Sequence, residues 1–377
     1  MSKYLKPHFN SCSFVVNSLK NRDILNFSPA AADARILWRK YLESPIPYSR
    51  DEAFTDLMKD VKQGLRRLCC ADSDVLFMTA SGTGALECAI AALPVKSKIL
   101  VVRNGYFSDR LFKIAKFHFH EVFIFDIPFG EALNEEHETD LLDLSEQIEA
   151  DVIICVHLET SSALVNDITI AGRIGCELGV LTIVDGMSSL GAVECRLDKW
   201  GIDCFISSAY KCLMCPPGLS FIIANEKYFD IAKRRWSFSF DNDKLLLKSR
   251  RDDYLWSPSV LSLLCLKDII NNIIAAGKHY YSSLSDKAEL FRDKLSQAGM
   301  DFVGNIDYFS PCFTAIKLEE PAADIILPQL KEKHGIIIGK GMGEHADNIL
   351  RIGHYPFRTM EELDILAEAL IDIMKDE

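Results

Sequence analysis

The stretch DCFISSAYKCLMCPPGLSFIIAN, residues 203–225, decides the fold class of this sequence. Two apolar runs, 203–209 and 219–225, lie on either side of a Pro-Pro-Gly turn, and Lys211 stands where the first run ends. Both runs are rich in Phe, Ile and Leu, which is typical of strands buried on both faces of a sheet. Lys211 has no acidic neighbour in the sequence, whereas a solvated lysine usually sits among polar residues. It is therefore a candidate for a buried, reactive amine if the rest of the chain supplies a site around it.

Runs of the same kind recur between residues 70 and 225. We predict seven strands, at 74–80, 98–104, 121–127, 151–158, 180–186, 203–209 and 219–225. Helical patterns at 83–93, 106–117 and 167–178 separate several of them. Such strand–helix–strand repetition predicts an α/β fold, in which a mostly parallel seven-stranded sheet lies between helices. The polar residues that follow the strands are then expected at one edge of the sheet, where ligands bind in such folds.

The sequence on either side of this block has a different character. Residues 51–70 carry apolar side chains at helical spacing, and 259–298 are mainly helical in pattern. The last hundred residues combine short strand-like runs with a final helix, for which Thr359 and Glu362 form a capping box. We predict an N-terminal arm, a large ligand-binding domain and a small C-terminal α+β domain, with the bounds 1–19, 20–262 and 263–377.

Composition excludes several classes of protein. The 377 residues carry a formal net charge of −12, which argues against a nucleic-acid binder, because such proteins need a dense basic surface. We see no run of about 18 uncharged apolar residues and therefore expect no membrane span. The first residues also lack the apolar core of a signal peptide. The twelve cysteines are scattered through apolar segments, as buried thiols are in a reducing compartment, so we expect a cytoplasmic protein.

Two short motifs contain possible metal ligands. Cys212 and Cys215 form a C-x-x-C pair, and His118 and His120 alternate in HFH. Neither motif has a partner segment elsewhere that would complete a tetrahedral site. We therefore expect no metal centre.

The segment TASGTGALECAI, residues 79–90, joins a strand end to a helix start. Ser81, Gly82 and Thr83 would direct N–H groups and hydroxyls outward from the positive end of that helix, which favours phosphate binding. The segment has neither the G-x-G-x-x-G pattern nor a P-loop lysine, so ordinary dinucleotide and NTP sites are not supported. Small residues at such a turn are also common for packing alone.

Other strand ends carry residues of defined chemistry. Asp185 follows a buried strand, where a carboxylate is costly unless it is paired or hydrogen-bonded; it could also cap a helix. Thr160 and the aromatic Phe107 follow two further strands, and Arg351 lies in an apolar strand, where an anionic partner would explain it. Together with Lys211 and the phosphate turn, these are the groups that pyridoxal phosphate requires: a carboxylate, a reactive amine and a phosphate site.

With these residues in this order, the sequence resembles a known family, the class V, fold-type-I aminotransferases that use pyridoxal phosphate. Within that family it resembles the 2-aminoethylphosphonate–pyruvate aminotransferases most closely. The resemblance runs from about residue 26 to the C-terminus and rests on SRDEAF (49–54), SGTGALE (81–87), VDGMSSLGA (184–192) and GIDCFISSAYKCL (201–213).

The resemblance implies roles for residues around the cofactor. Lys211 would form the Schiff base with the aldehyde, and Asp185 would face the pyridine nitrogen. Phe107 would stack on the ring, and Thr160 would approach the phenolic oxygen. The phosphate would be held by Ser81, Gly82, Thr83 and Ser208.

The resemblance also implies a substrate site and a dimer. Arg351 would bind the substrate anion, and Ser28 would line the same site. Ser257, in the segment WSPS, stands where the family supplies a phosphate contact from the neighbouring subunit. This implies a homodimer with shared active sites.

The activity implied is ping-pong transfer of an amino group from a small amine, 2-aminoethylphosphonate in the favoured case, to pyruvate or a similar keto acid. An alanine–glyoxylate or serine–pyruvate type of aminotransferase, or a pyridoxal-phosphate lyase, is the alternative. A non-catalytic relative is disfavoured because Lys211 and Asp185 are both present.

Three departures from the family pattern bear on the substrate. The family's T-P-G-P is SPAA at 28–31, the usual glycine is Ala163, and the polar amide before the lysine is Tyr210.

Overall fold

The computed structural model describes residues 24–375 except for 31, 33 and 44. The predicted arm, 1–19, and Ala31 lie outside the described residues. The strands are β1 (Leu25–Asn26), β2 (Asp74–Met78), β3 (Ile99–Arg103), β4 (Val122–Asp126), β5 (Val152–Val156), β6 (Leu158–Glu159), β7 (Leu164–Val165), β8 (Leu181–Asp185), β9 (Cys204–Ser208), β10 (Ser220–Ala224), β11 (Asp301–Phe302), β12 (Phe313–Lys317), β13 (Ile336–Ile337), β14 (Gly339–Lys340) and β15 (Ile349–Gly353).

Helices alternate with these strands. They are α1 (Arg35–Leu42), α2 (Glu52–Cys69), α3 (Gly82–Ala91), α4 (Tyr106–His118), α5 (Glu138–Gln147), α6 (Thr169–Leu178), α7 (Glu226–Ile231), α8 (Asn242–Ser249), α9 (Val260–Ala276), α10 (Lys278–Gln297), α11 (Ala323–Gln329) and α12 (Met360–Lys375). Short 3₁₀ turns lie at Glu135–His137, Ile306–Tyr308 and Gly343–His345, and a π turn at Leu330–His334 follows α11.

The central sheet has seven strands in the order β2-β10-β9-β8-β5-β3-β4. Strand β10 runs antiparallel to both of its neighbours, and the other pairs are parallel. All seven predicted runs are strands of this one sheet. The predicted α/β fold with a mostly parallel seven-stranded sheet is therefore confirmed.

Each face of the sheet is covered by apolar helices. Successive side chains of a strand point to opposite faces, so in β5 Ile153 and Cys155 enter the core beneath α2, α6 and α9. Val152 and Ile154 enter the core beneath α3 and α4. Because both faces need apolar side chains, the strands appear in the sequence as continuous apolar runs.

The C-terminal residues build a second, smaller sheet, antiparallel in the order β11-β12-β15-β14. Strand β1 pairs in parallel with β13, and Phe27 is fully buried in the C-terminal core. The predicted capping box of α12 is confirmed: Thr359 N–H donates to Glu362 Oε2 (3.1 Å), and Glu362 N–H donates to Thr359 Oγ1 (3.2 Å). The residue bounds of the two domains stay a prediction.

Within the described part of the chain, no single helix is long and apolar enough to cross a membrane. The consecutive helices α9 and α10 meet such a length and composition criterion only as a pair, which is bent by 91°. In the same residues, no three His, Cys, Asp or Glu side chains are grouped so as to hold a metal ion.

Candidate active site

A cavity of about 420 Å³ opens at the edge of the sheet where the parallel strands end. The turns that follow β2, β3, β8 and β9 form one wall, and segments from both ends of the chain form the other. The lining residues are Ser28, Pro29, Ala30, Gly82, Thr83, Phe107, Arg110, Met187, Tyr210, Lys211, Gly339 and Arg351. Six of the sequence-predicted site residues are in this set: Ser28, Gly82, Thr83, Phe107, Lys211 and Arg351.

Lys211 lies in the tight connection between β9 and β10. The turn is closed by backbone bonds from Cys215 N–H to Ala209 O (2.8 Å) and from Ala209 N–H to Leu219 O (3.0 Å). The Lys211 amine donates to Ser188 Oγ at 2.7 Å and lies 5.2 Å from the centre of the Phe107 ring. Burial lowers the pKa of Lys211 from 10.5 to about 8, although the nearby Asp185 carboxylate acts in the opposite direction. A substantial fraction of this amine is therefore neutral, and so nucleophilic and basic, near neutral pH.

Asp185 ends β8 and is buried. Its Oδ1 accepts the N–H of Met187 at 2.8 Å. Burial raises the pKa of Asp185, while the Met187 bond and the positive charges of Lys211 and Arg110 oppose that rise. A buried carboxylate with so few partners can accept a further proton donor, such as the protonated ring nitrogen of a ligand.

The N-terminus of α3 faces the cavity. Ser81 caps it, because its Oγ accepts the N–H of Gly84 at 3.2 Å. The N–H of Gly82 donates to the hydroxyl oxygen of Tyr210 at 2.9 Å, and the N–H of Thr83 has no acceptor among the described residues. A Cβ at position 82 would come within 2.5 Å of Met187 Sδ, so a larger residue there would displace the Met187 side chain.

Two buried hydroxyls next to the cavity have no hydrogen-bond partner within the described residues, Thr160 Oγ1 and Ser208 Oγ. Both side chains are 1% exposed. Buried hydroxyls are normally paired, so these two are suited to oxygen atoms of a bound ligand. Ser208 ends β9 two residues after Ile206, which points into the core beneath α3, so its side chain is on the face of the sheet that α3 covers. The chain thus fits pyridoxal phosphate, which presents a phosphate, a phenolic oxygen and a ring nitrogen.

Glu159 is a residue whose role the sequence did not reveal. It is fully buried, and its carboxylate accepts the N–H groups of Phe107 and Ser108 at the start of α4. It also accepts the N–H and Oγ–H of Ser161 at 3.1 and 2.6 Å. A carboxylate at a helix N-terminus is stabilised by the helix dipole, and here it sets the position of the Phe107 ring. Its place in ETSS, directly after a buried strand, was the available signal.

Two guanidinium groups reach the cavity. Arg351, on β15, donates to Lys340 O (2.7 Å) and Thr160 O (3.3 Å), and burial lowers its pKa to about 10. Arg110 lies with its guanidinium carbon 4.7 Å from the centre of the Phe107 ring, and its buried Nε has no partner in the described residues. Neither arginine forms an ion pair with a carboxylate of these residues. Arg110 is not among the residues predicted from the sequence, and its signal there is its position one turn after Phe107 on α4.

The structure also locates Ser257 and two of the positions that depart from the family pattern, Ala30 and Ala163. Ser257 does not line the cavity of its own chain; its carbonyl accepts the hydroxyl of Thr79 at 2.7 Å, and it is exposed. Ala30 lines the cavity, and its carbonyl accepts the hydroxyl of Tyr355. Ala163 has a φ of +61°, a left-handed conformation that explains why a glycine is usual there.

The fold and the cavity around Lys211 are those of a protein that binds pyridoxal phosphate. Comparisons with known proteins give its family. The Aminotransferase class-V family model matches residues 46–239. The chain is 32% identical to a 2-aminoethylphosphonate–pyruvate transaminase of Bacillus mycoides, over 85% of this chain and 90% of that protein. It is 26% identical to an L-aspartate–glyoxylate aminotransferase of Paracoccus denitrificans, over 87% of this chain and 85% of that protein.

A solved structure has the same fold. An alanine–glyoxylate aminotransferase of Nostoc sp. superposes with a TM-score of 0.87 at 24% identity, covering 95% of this chain and 97% of that chain. The chain therefore belongs to the class V aminotransferases. It is a transaminase that depends on pyridoxal phosphate and uses an amino donor and a keto acid.

Proposed function

We propose that this transaminase transfers the amino group of 2-aminoethylphosphonate to pyruvate. The observation that carries the proposal is the pairing of Lys211, an amine with a lowered pKa, with two guanidinium groups in one cavity. Arg110 and Arg351 form no ion pair with a carboxylate of the described residues, so the cavity favours anionic substrates. The 32% identity to a 2-aminoethylphosphonate–pyruvate transaminase supports a phosphonate as the donor.

We assign the reaction chemistry to Lys211 and Asp185. When bound, pyridoxal phosphate supplies an aldehyde carbon that takes up the amino group and a ring that withdraws negative charge. Lys211 Nζ acts as the general base, taking the proton from the substrate carbon that bears the nitrogen and later returning a proton. Ser188 Oγ, at 2.7 Å, orients that amine. The Asp185 carboxylate holds a proton at the ring nitrogen.

Substrate and cofactor positioning falls to other residues of the cavity. We assign the substrate's anionic group to Arg351, whose fork of donors suits a carboxylate or phosphonate, with Ser28 on the same wall. Phe107 would pack against one face of the ring, and Thr160 Oγ1 would donate to the phenolic oxygen. Ser81, Gly82, Thr83 and Ser208 would hold the phosphate.

The test is a donor and acceptor screen on the protein loaded with pyridoxal phosphate. The donors are 2-aminoethylphosphonate, alanine, serine and aspartate, each offered with pyruvate and with glyoxylate, and products are identified by mass spectrometry. We expect 2-aminoethylphosphonate with pyruvate to give alanine and the phosphonate aldehyde. Turnover of alanine, serine or aspartate with glyoxylate, and not of the phosphonate, would establish the alternative branch of the family. Release of an aldehyde or keto product without an acceptor, in more than one equivalent per active site, would indicate a lyase.

We also propose a homodimer in which Ser257 reaches the phosphate in the partner's cavity. Ser257 is exposed, lies outside its own cavity and is held by Thr79 close to the phosphate turn. Co-expression of Lys211→Ala and Ser257→Ala chains tests this proposal, because a mixed dimer has one cavity with both substitutions and one with neither. Activity close to half of the wild-type value per mixed dimer is expected, and a monomer in sedimentation would refute the proposal.

We propose the cytoplasm as the compartment of the protein. The described cysteines are free thiols, and all of them except Cys70 and Cys176 are buried. Such usage suits a reducing environment. Fractionation of the native cells checks this, and recovery in a secreted fraction would contradict it.

A further inference from the structure

The hydroxyl of Tyr210 is placed at the N-terminus of α3. This residue precedes Lys211 and lines the same cavity. Its Oη accepts the Gly82 N–H at 2.9 Å, and the two residues are 128 positions apart in the chain. The backbone carbonyl of Tyr210 accepts the N–H of Ala32 at 2.8 Å, so the main chain is held on the other side as well.

The bond to Gly82 uses only an acceptor site of the tyrosine oxygen. A phenol hydroxyl has one proton to donate, and among the described residues that proton has no acceptor. Thr83 N–H is likewise without an acceptor there, and the buried Ser208 Oγ, on the side of the sheet that faces α3, has no partner. The donors left over around this helix start are thus the Tyr210 hydroxyl, the Thr83 amide and the Ser208 hydroxyl.

Unused donors at and beside a helix N-terminus suit a dianionic phosphate. We propose that the Tyr210 hydroxyl is a direct ligand of the cofactor phosphate, accepting from Gly82 N–H and donating its own proton to a phosphate oxygen. The hydroxyl thus lies between the Gly82 N–H and the anion, and the phosphate receives an O–H donor in place of that N–H donor. This inference rests on the proposed function in one respect, the assignment of the α3 N-terminus to the phosphate.

The test compares pyridoxal phosphate with pyridoxal, which lacks the phosphate. Equilibrium dissociation constants for both are measured by absorbance on the apo protein, for the wild type, Tyr210→Phe and Ser208→Ala. Tyr210→Phe is expected to weaken pyridoxal phosphate binding by about tenfold or more, as loss of a hydrogen bond to a charged group predicts. Binding of pyridoxal is expected to change less than about twofold, because it has no phosphate to lose.

The matched control is Tyr228→Phe. The Tyr228 hydroxyl donates to Ala89 O at 3.0 Å, near the C-terminal end of α3 and outside the cavity lining. This variant is expected to keep the wild-type ratio of the two dissociation constants, which separates a phosphate contact from a general effect on α3.

The outcomes separate this inference from the assignment on which it rests. If Ser208→Ala lowers the preference for the phosphorylated ligand and Tyr210→Phe does not, the phosphate site stands and the tyrosine contact is refuted. If neither variant alters the preference, the phosphate lies elsewhere and both ideas fail. Tighter binding by Tyr210→Phe would show that the hydroxyl competes with the phosphate, which also overturns the proposal.

Discussion

The amine of Lys211 is expected to titrate far below an ordinary lysine in the protein freed of cofactor. Burial lowers its pKa from 10.5 to about 8. At pH 7.5 about a quarter of such amines are neutral, against about one in a thousand for a lysine with an ordinary pKa. The neutral fraction of Lys211, which is the form that a neutral acylating reagent modifies, is therefore expected to be about 200-fold larger at this pH than without the shift.

Competitive acetylation with trace acetic anhydride between pH 6 and pH 11 measures this titration. Mass spectrometry of the peptide that contains Lys211 gives its labelling, and the exposed Lys96 serves as the internal reference. Because only the neutral amine reacts, labelling of Lys211 is expected to rise with pH and to reach half of its plateau at about pH 8. Asp185→Asn removes a negative charge that raises this pKa, so the midpoint is expected to move to lower pH in that variant.

A midpoint close to 10.5 would refute the reasoning, since it would mean that the cavity solvates the charged amine fully. A midpoint that rises in Asp185→Asn would refute the electrostatic part alone. Ser188→Ala is a useful third variant: it removes the 2.7 Å hydrogen bond to Nζ without changing any charge. Its midpoint is expected to stay nearer to the wild type than that of Asp185→Asn.

Three further outcomes are expected from the geometry. Arg351→Gln is expected to raise KM for the keto acid by about 10- to 100-fold, because a charged hydrogen bond is lost, while the absorbance of bound cofactor stays unchanged. Equal KM values in the variant and the wild type would contradict the anion site. Arg351→Lys keeps the charge and tests the need for the forked guanidinium. Ala163→Gly is expected to raise the free energy of unfolding in urea by about 0.5–1 kcal/mol, because φ at Ala163 is +61°; Ala171→Gly, inside α6, is the control that should lower it. Glu159→Gln is expected to lower that free energy by about 2–3 kcal/mol, since buried N–H donors at the start of α4 lose a charged acceptor; an unchanged urea midpoint would argue against this role.

The sheet and its ligand edge could be predicted because they depend on local patterns. Strands buried on both faces need continuous apolar runs, and each of the seven runs is visible without knowledge of its neighbours. The capping box of Thr359 and Glu362 is equally local, since both partners lie within one helical turn. The polar residues at strand ends come to one edge because parallel strands end on the same side, whatever their order in the sheet.

The contacts that could not be predicted join residues far apart in the sequence. The bond from Gly82 to the Tyr210 hydroxyl spans 128 positions, and in the sequence Tyr210 is only an unusually large residue before a lysine. The pairing of β1 with β13 involves two-residue strands, too short for any pattern. Arg110 resembles any surface arginine on an amphipathic helix until its neighbours are known. A single sequence does not show which side chains of one helix or strand face those of another.

The wall of the cavity opposite the sheet edge is assembled from the two ends of the chain, which has a consequence for how the protein is made. The Tyr355 hydroxyl is bonded to Ala30 O across 325 positions, and Arg351 lies on the strand just before it. During synthesis, Lys211, Asp185 and α3 are all available while Tyr355, the partner of Ala30, has not yet been translated. Contacts of such separation form late and slowly. On the assignments proposed above, the residues around the cofactor lie earlier in the chain than Arg351, so the cofactor edge of the sheet would be complete before β15 brings the anion-binding arginine to it.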